Sequence, residues 1–143
     1  MPISTVEIRN VAGTQAAMGW ADAHTVVIDR PEGRAGGMGL GFNGAQLLGL
    51  TIGGCFANDL RYVASDLGAA VGDISISVSV TLEGSPIRAI GAEMLVSVSM
   101  SDGSDPTELV AKAKEISMAM NSLTKGLPVL VSERHGEHQS RPI

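Results

Sequence analysis

The chain has 143 residues, a formal net charge of −5 and a pI near 5.0, with aromatic residues at only 3%. An acidic surface poor in aromatics argues against nucleic acid and anionic membranes as partners, and against base-stacking platforms. At 44% hydrophobic and 17% charged residues the chain is globular, and its length fits a single domain spanning 1–143 with no linker or repeat. The single cysteine, Cys55, excludes an intrachain disulfide and suits a reducing, cytoplasmic compartment. The opening MPISTVEIRN has no apolar h-region, so no signal peptide is expected.

Residues 3–9 set Ile3, Val6 and Ile8 against Ser4, Glu7 and Arg9, with one slip at Thr5, which predicts a strand. Ala12-Gly13 turns, and residues 14–20 are read as a second strand. Asp22-Ala23 turns again, and the β-branched run HTVVID over 24–29 predicts a third. The front of the chain is therefore a meander. Residues 30–42, RPEGRAGGMGLGF, hold five glycines and a proline and form a loop.

Residues 43–68 predict one long helix. Asn43 is suited to the N-cap and Gly68 to the left-handed residue that ends it. Its first half, LLGLTIGGCFA over 47–57, has only Thr51 as a clearly polar residue. A helix that is apolar all round must be covered on every side. This apolar stretch falls short of the roughly 20 residues a membrane span needs, so a buried core helix is expected and no membrane association. Gly49, Gly53 and Gly54 each cost about 1 kcal/mol of helix propensity against Ala, and allow another backbone to approach closely. Asp59, Arg61, Ser65 and Asp66 bring the far end to water, while Leu60, Val63, Ala64 and Leu67 keep an apolar stripe.

Ile74, Ile76, Val78, Val80 and Leu82 alternate strictly with Ser75, Ser77, Ser79 and Thr81, giving a half-buried strand. After a turn at 83–86, residues 94–100 alternate as its antiparallel partner. Asp105 as N-cap, Pro106 at the first position and Glu108 closing a capping box predict a second helix. Its buried face is Leu109, Ala113, Ile116, Met120 and Leu123, and Gly126 and Pro128 end it. A short last strand is expected over 128–131, then a polar tail over 132–143. The order gives an α+β fold with two helices on a one-sided antiparallel sheet. Two helices do not cover the first half of the long helix on all sides, which predicts a homodimer sharing a core.

Gly39 to Gly44 spell G-x-G-x-x-G at the start of a helix. A dinucleotide site requires that motif directly after a strand in a βαβ unit, and here about nine residues intervene. The loop reading, glycines that let the chain pass close to the helix start, is preferred, and no cofactor is expected. His135 and His138 in the tail, without a third ligand, do not make a metal site, and His24 at a strand start is read as exposed. Cys55 has two readings. A free cysteine commonly packs as a small hydrophobe. Alternatively, Gly53 and Gly54 open a path to the sulfur. Asp59, one turn on, shares its face and opposes the thiolate, so a reactive Cys55 needs a cation from another segment.

The run Asn43-x-x-x-Leu47, the small-residue helix to Cys55-Phe56, and the preceding Asp29-Arg30-Pro31…Gly36-Gly37 together resemble the OsmC/Ohr family of thiol peroxidases. So does the later stretch from Ala113-Lys114-Glu115-Ile116-Ser117 through Asn121-Ser122-Leu123 to Gly126. The resemblance implies an intertwined homodimer with antiparallel β-sheets packed on two long central helices and active sites at the dimer interface. It places Cys55 where the family's cysteine attacks an organic hydroperoxide and becomes a sulfenic acid. It places Ser117 where the family has a second, resolving cysteine, and Ala45 where the family has a glutamate that holds an arginine. Arg34, with Arg30 behind it, is the nearest candidate for that arginine. Asn43 and Ser117 are the implied substrate-side residues.

Two function classes follow from this. One is a peroxidase that reduces organic hydroperoxides through Cys55, with an external thiol as reductant because Ser117 cannot resolve a sulfenic acid. The other is a non-catalytic dimer whose interfacial cleft binds a small apolar ligand. A guanidinium within hydrogen-bond reach of the Cys55 sulfur would favour the first.

Overall fold

The computed structural model describes residues 1–134. Strands β1 (Glu7–Asn10), β2 (Ala17–Ala21) and β3 (His24–Ile28) form the expected antiparallel meander, in the order β1-β2-β3. The first two strands are shorter than their patterns. Pairing stops at Glu7 opposite Trp20, so Ile3 and Val6 have no neighbouring strand and stay exposed. Thr14 belongs to the turn rather than to β2, because its hydroxyl donates to the Val11 carbonyl at 2.9 Å and accepts from the Ala16 N–H.

The glycine loop folds back on β3. Phe42 N–H donates to the Val27 carbonyl, Asp29 N–H donates to the Phe42 carbonyl, and Ile28 and Phe42 form a parallel bridge. Gly41 must be glycine here, since a Cβ would collide with the Val27 carbonyl. Asp29 is the hub of the loop. It is 4% exposed, its Oδ1 accepts from Arg30 N–H, and its Oδ2 accepts from Met38 and Leu40 N–H at 3.0 and 3.1 Å. The Leu40 N–H foremost, then those of Met38 and Arg30 and the Arg30 guanidinium, hold this carboxyl below its ordinary range, while burial opposes them.

Helix α1 (Gly44–Asp66) starts as expected. Asn43 Oδ1 accepts from Gln46 N–H and Gln46 Oε1 accepts from Asn43 N–H, both at 2.9 Å, a reciprocal capping box. It ends at Leu67 and left-handed Gly68, φ 64°. Phe56, Leu60, Val63 and Ala64 form the core with Leu109 and Ala113 of α2 (Thr107–Ile116). Strands β4 (Val71–Glu83) and β5 (Arg88–Met100) make a long antiparallel hairpin. Ile74, Ile76, Val78 and Val80 are partly buried, while Ser75, Ser77, Ser79 and Thr81 are exposed. The glycines of α1 receive this face. A Cβ on Gly53 would lie 2.9 Å from Val78 Cγ2 and 3.3 Å from Ile76 Cγ2, whereas one on Gly54 would meet nothing within 4 Å.

Several expectations are corrected. The strands form two separate sheets, of three and two strands, rather than one. Only one long helix is present among the described residues. The expected second one is broken into α2 and α3 (Met118–Lys125) by Ser117, whose ψ of 111° is extended. The break has a packing cause. Ala113 and Ala119 are six residues apart and would face different sides of a continuous helix, yet both are buried. The interruption turns both inward and leaves Ile116 and Leu123 exposed. The helix also begins later than expected. Asp105 Oδ1 accepts from Thr107 N–H and Oγ1, Pro106 takes the cap position, and Glu108 pairs with Lys112 instead of closing a capping box. No strand forms over 128–131. Val129, Leu130 and Val131 are exposed, Leu130 at 94%, with no strand beside them. His135, His138 and most of the expected polar tail lie outside the described residues.

Among the described residues the apolar first half of α1 is covered on one side only: Ile52, Gly53 and Phe56 are buried, while Leu50 and Gly54 are exposed. Leu50 is 51% exposed. The whole chain exposes 11257 Å², against about 6900 Å² for a compact monomer of this mass. No helix among the described residues is long and apolar enough to cross a membrane.

Two measurements test this packing. Ala at Gly53 must displace Val78, while Ala at Gly54 gains helix propensity in open space. Gly54→Ala is expected to be more stable than Gly53→Ala by about 1–3 kcal/mol in urea unfolding; equal stabilities would deny the close approach of α1 to β4. For Asp29 the folded pKa is depressed. Its stability contribution is therefore present above its unfolded pKa, about 3.9, and lost as pH falls below that value. Asp29→Asn should flatten the acid limb of the stability profile below about pH 4, and an unchanged limb would assign the acid sensitivity elsewhere.

Candidate functional site around Cys55

Residues 52–64 of α1 place one face in the core, and Cys55 lies at the edge of that face, half-buried. Its thiol donates to Asp59 Oδ2 at 3.6 Å, the i, i+4 contact that one helical turn provides. Asp59 is itself buried, at 6% exposure, on the same face as Phe56, Leu60 and Val63. Gly54, directly before the cysteine, is exposed and leaves open space where a side chain would stand. Among the described residues no guanidinium is within hydrogen-bond reach of the sulfur, whose one hydrogen-bond partner is Asp59.

The structure does not gather the expected site residues within one chain. Arg34 is at the exposed tip of the glycine loop, where its backbone N–H donates to the Pro31 carbonyl and its carbonyl accepts from Gly37 N–H. Its guanidinium makes no hydrogen bond or ion pair among the described residues. Arg30 is committed elsewhere: Nη2 donates to the Gln15 carbonyl at 2.7 Å and lies 3.6 Å from Asp29 Oδ1. Asn43 spends its side-chain oxygen on the helix cap and lines a groove of about 500 Å³ between α1 and β4, with Ala45, Gly49, Gly53 and Gly54. Ser117 is fully buried at the break between α2 and α3, and its Oγ has no hydrogen-bond partner among the described residues. A second groove, about 580 Å³, runs along the other flank of α1 past Ile52, Phe56, Met94 and Met120, with Lys114 as its charged group. His24 is exposed at the start of β3. Among the described residues no three His, Cys, Asp or Glu side chains are grouped to hold a metal.

Sequence reasoning missed the role of Asp29, whose signal was a lone acid immediately before five glycines. It also placed Asp59 beside Cys55 without seeing that the carboxylate is buried with the sulfur as its hydrogen-bond donor. The clue was Leu60 and Val63 flanking it on the stripe.

Comparison with known proteins places this geometry. Solved structures share the fold at low identity. An OsmC-like protein from Mycoplasma pneumoniae has a TM-score of 0.70 at 13% identity, over 88% of this chain and 89% of that one. An organic hydroperoxide resistance protein OsmC from Legionella pneumophila has 0.58 at 21%, over 85% and 88%. The organic hydroperoxide resistance protein OhrB of Bacillus subtilis has 0.56 at 22%, over 87% and 92%. No curated protein matches the sequence. The family model for OsmC-like proteins matches residues 36–132, from the glycine loop through both halves of the broken helix, and the chain belongs to that family.

Proposed function

We propose that this protein is a thiol-dependent reductase of organic hydroperoxides that acts through Cys55. The observation that carries the reading is the half-exposed Cys55 thiol beside the open position at Gly54, in a chain whose family includes organic hydroperoxide resistance proteins. The sulfur attacks the terminal peroxide oxygen, an S–O bond forms, the O–O bond breaks, and an alcohol leaves. Cys55 becomes a sulfenic acid. With Ser117 in place of a second cysteine, an external thiol condenses with the sulfenic acid, releasing water. A second external thiol then attacks the mixed disulfide, freeing Cys55 and a disulfide of the reductant.

The working form in this reading is a homodimer. The chain exposes about 4300 Å² beyond a compact monomer, part of it on the exposed chain ends and part along α1, which is more than the roughly 1000–2500 Å² each partner contributes to an obligate homodimer. Exposed Phe42, Leu50 and Tyr62 mark surface that a second copy would cover. Arg34, unpartnered on the glycine loop, is the cation we assign to the thiolate, delivered when that loop is packed by the second copy.

A cytoplasmic location fits a single reduced cysteine.

Sedimentation at micromolar concentration should give twice the 14.7 kDa chain mass, and a 14.7 kDa species would remove the dimer from this reading. Cumene hydroperoxide should convert Cys55 to a sulfenic acid that dimedone traps, that overoxidises to sulfinic acid on standing, and that added dithiol reverses. Arg34→Ala should slow this by about tenfold or more. An unmodified Cys55 in the folded protein would end the peroxidase reading and leave the apolar-ligand one, to which the two grooves flanking α1 give a place.

A further inference from the structure

We infer that Asp59 is the proton-transfer residue of Cys55: it takes the thiol proton as the sulfur attacks, and gives it to the departing alkoxide. The inference rests on the peroxidase reading and adds a catalytic residue to it. The S–H already points at Asp59 Oδ2, 3.6 Å away, so the proton has a defined acceptor before any peroxide binds. No other hydrogen-bond or ion-pair partner reaches Asp59 among the described residues, although it is 6% exposed. The Asp59 carboxylate is buried with one weak thiol donor beside it. On the same helix face Phe56, Leu60 and Val63 are apolar, which leaves the carboxylate as the polar group of that stripe nearest the sulfur in sequence.

The step balances without a further reagent. The S–H bond breaks and its proton goes to Asp59 Oδ2. The sulfur electron pair forms the S–O bond to the terminal peroxide oxygen, which keeps its own hydrogen. The O–O bond breaks, and the alkoxide takes the proton from Asp59, so the carboxylate is restored. Sulfur is oxidised by two electrons, the hydroperoxide is reduced to an alcohol, and Cys55 is left as a sulfenic acid. Arg34 and Asp59 then have separate tasks: the guanidinium supports negative charge on sulfur, and the carboxylate moves the proton.

A carboxylate that merely anchored the thiol would have the opposite effect, because it would oppose the thiolate, and its removal would speed the reaction. The test uses two oxidants on the full-length protein. Cumene hydroperoxide releases an alkoxide that needs a proton, while peracetic acid releases a carboxylate that does not. Asp59→Asn keeps the shape and an acceptor oxygen but cannot carry the proton. It should slow Cys55 oxidation by cumene hydroperoxide about 100-fold and by peracetic acid only about 10-fold, since there the thiol-proton step alone is lost. Unchanged or faster reaction with cumene hydroperoxide would overturn the assignment, as would equal losses with both oxidants, which would leave the departing alkoxide without a proton from Asp59. A second measurement needs no variant. The ratio of the two oxidation rates in the wild-type protein should favour cumene hydroperoxide relative to the same ratio for free cysteine, and an equal ratio would overturn the inference. A wild-type Cys55 that cumene hydroperoxide leaves untouched would overturn the peroxidase reading itself, a result distinct from any effect of the substitution.

Discussion

An apolar helix with too little chain to cover it is the constraint on which this structure depends. Helix α1 is apolar around most of its first half, and the rest of the chain supplies two thin sheets and two short helices. The hairpin of β4 and β5 takes one flank, where Gly49 and Gly53 let Val78 and Val80 come close. Helices α2 and α3 lie against another part of it, and the break at Ser117 lets Ala113 and Ala119 both serve the core. What remains is a stripe through Leu50 and Gly54 that is exposed among the described residues. Part of the large exposed surface comes from that stripe, and part from the ends of the chain and the tip of the β4–β5 hairpin. The half-buried state of Cys55 follows too, since it lies where the covered face gives way to the uncovered one.

The glycine loop solves a different problem with a single carboxylate. A segment with five glycines has no side chains to hold it, so its order has to come from backbone hydrogen bonds. Asp29 gathers three N–H donors from 30, 38 and 40, and Gly41 lets the returning chain pair with β3. The loop is thereby fixed at both ends, while its tip, with Arg34, stays in solvent. A fixed loop whose tip guanidinium makes no hydrogen bond or ion pair among the described residues is suited to meeting another surface. Arg30, tied to Gln15 and Asp29, is not available for that.

How far the sequence could be read depended on whether a signal was local. The N-cap at Asn43, the Gly68 stop, the front meander and the serine-alternating β4 are all set by neighbours in sequence, and each is present as expected. The errors lie where distant contacts decide. The stripe from Leu109 to Leu123 fits one continuous helix, but the burial of both Ala113 and Ala119 is a tertiary demand that periodicity does not record. The PVLV run at 128–131 has strand composition, yet a strand requires an adjacent edge, and none lies beside it here. β5 extends back to Arg88 because β4 is long enough to pair there, although residues 88–93 carry no clean alternation. At the site, the positions of Cys55, Asp59 and the glycines could be read from helical spacing. The distance from Cys55 to any arginine could not, since it depends on where packing carries the glycine loop.

The site can be understood as an answer to a conflict between two charges. A thiolate at Cys55 would sit one turn from a buried carboxylate, and like charges that close in a poorly hydrated place cannot both persist without a cation. Among the described residues no guanidinium reaches the sulfur, and the resting pair is a thiol donating to a carboxylate. That arrangement keeps one negative charge in the pocket instead of two. In the inferred proton transfer the charge moves from oxygen to sulfur and the total stays the same. A cation brought from Arg34 would then favour the sulfur end of that exchange if it approached on the exposed side of α1, since it would lie nearer the sulfur than the buried carboxylate. The uncovered stripe and the shared proton are thus linked: whatever covers Leu50 and Gly54 also sets the charge balance between Cys55 and Asp59.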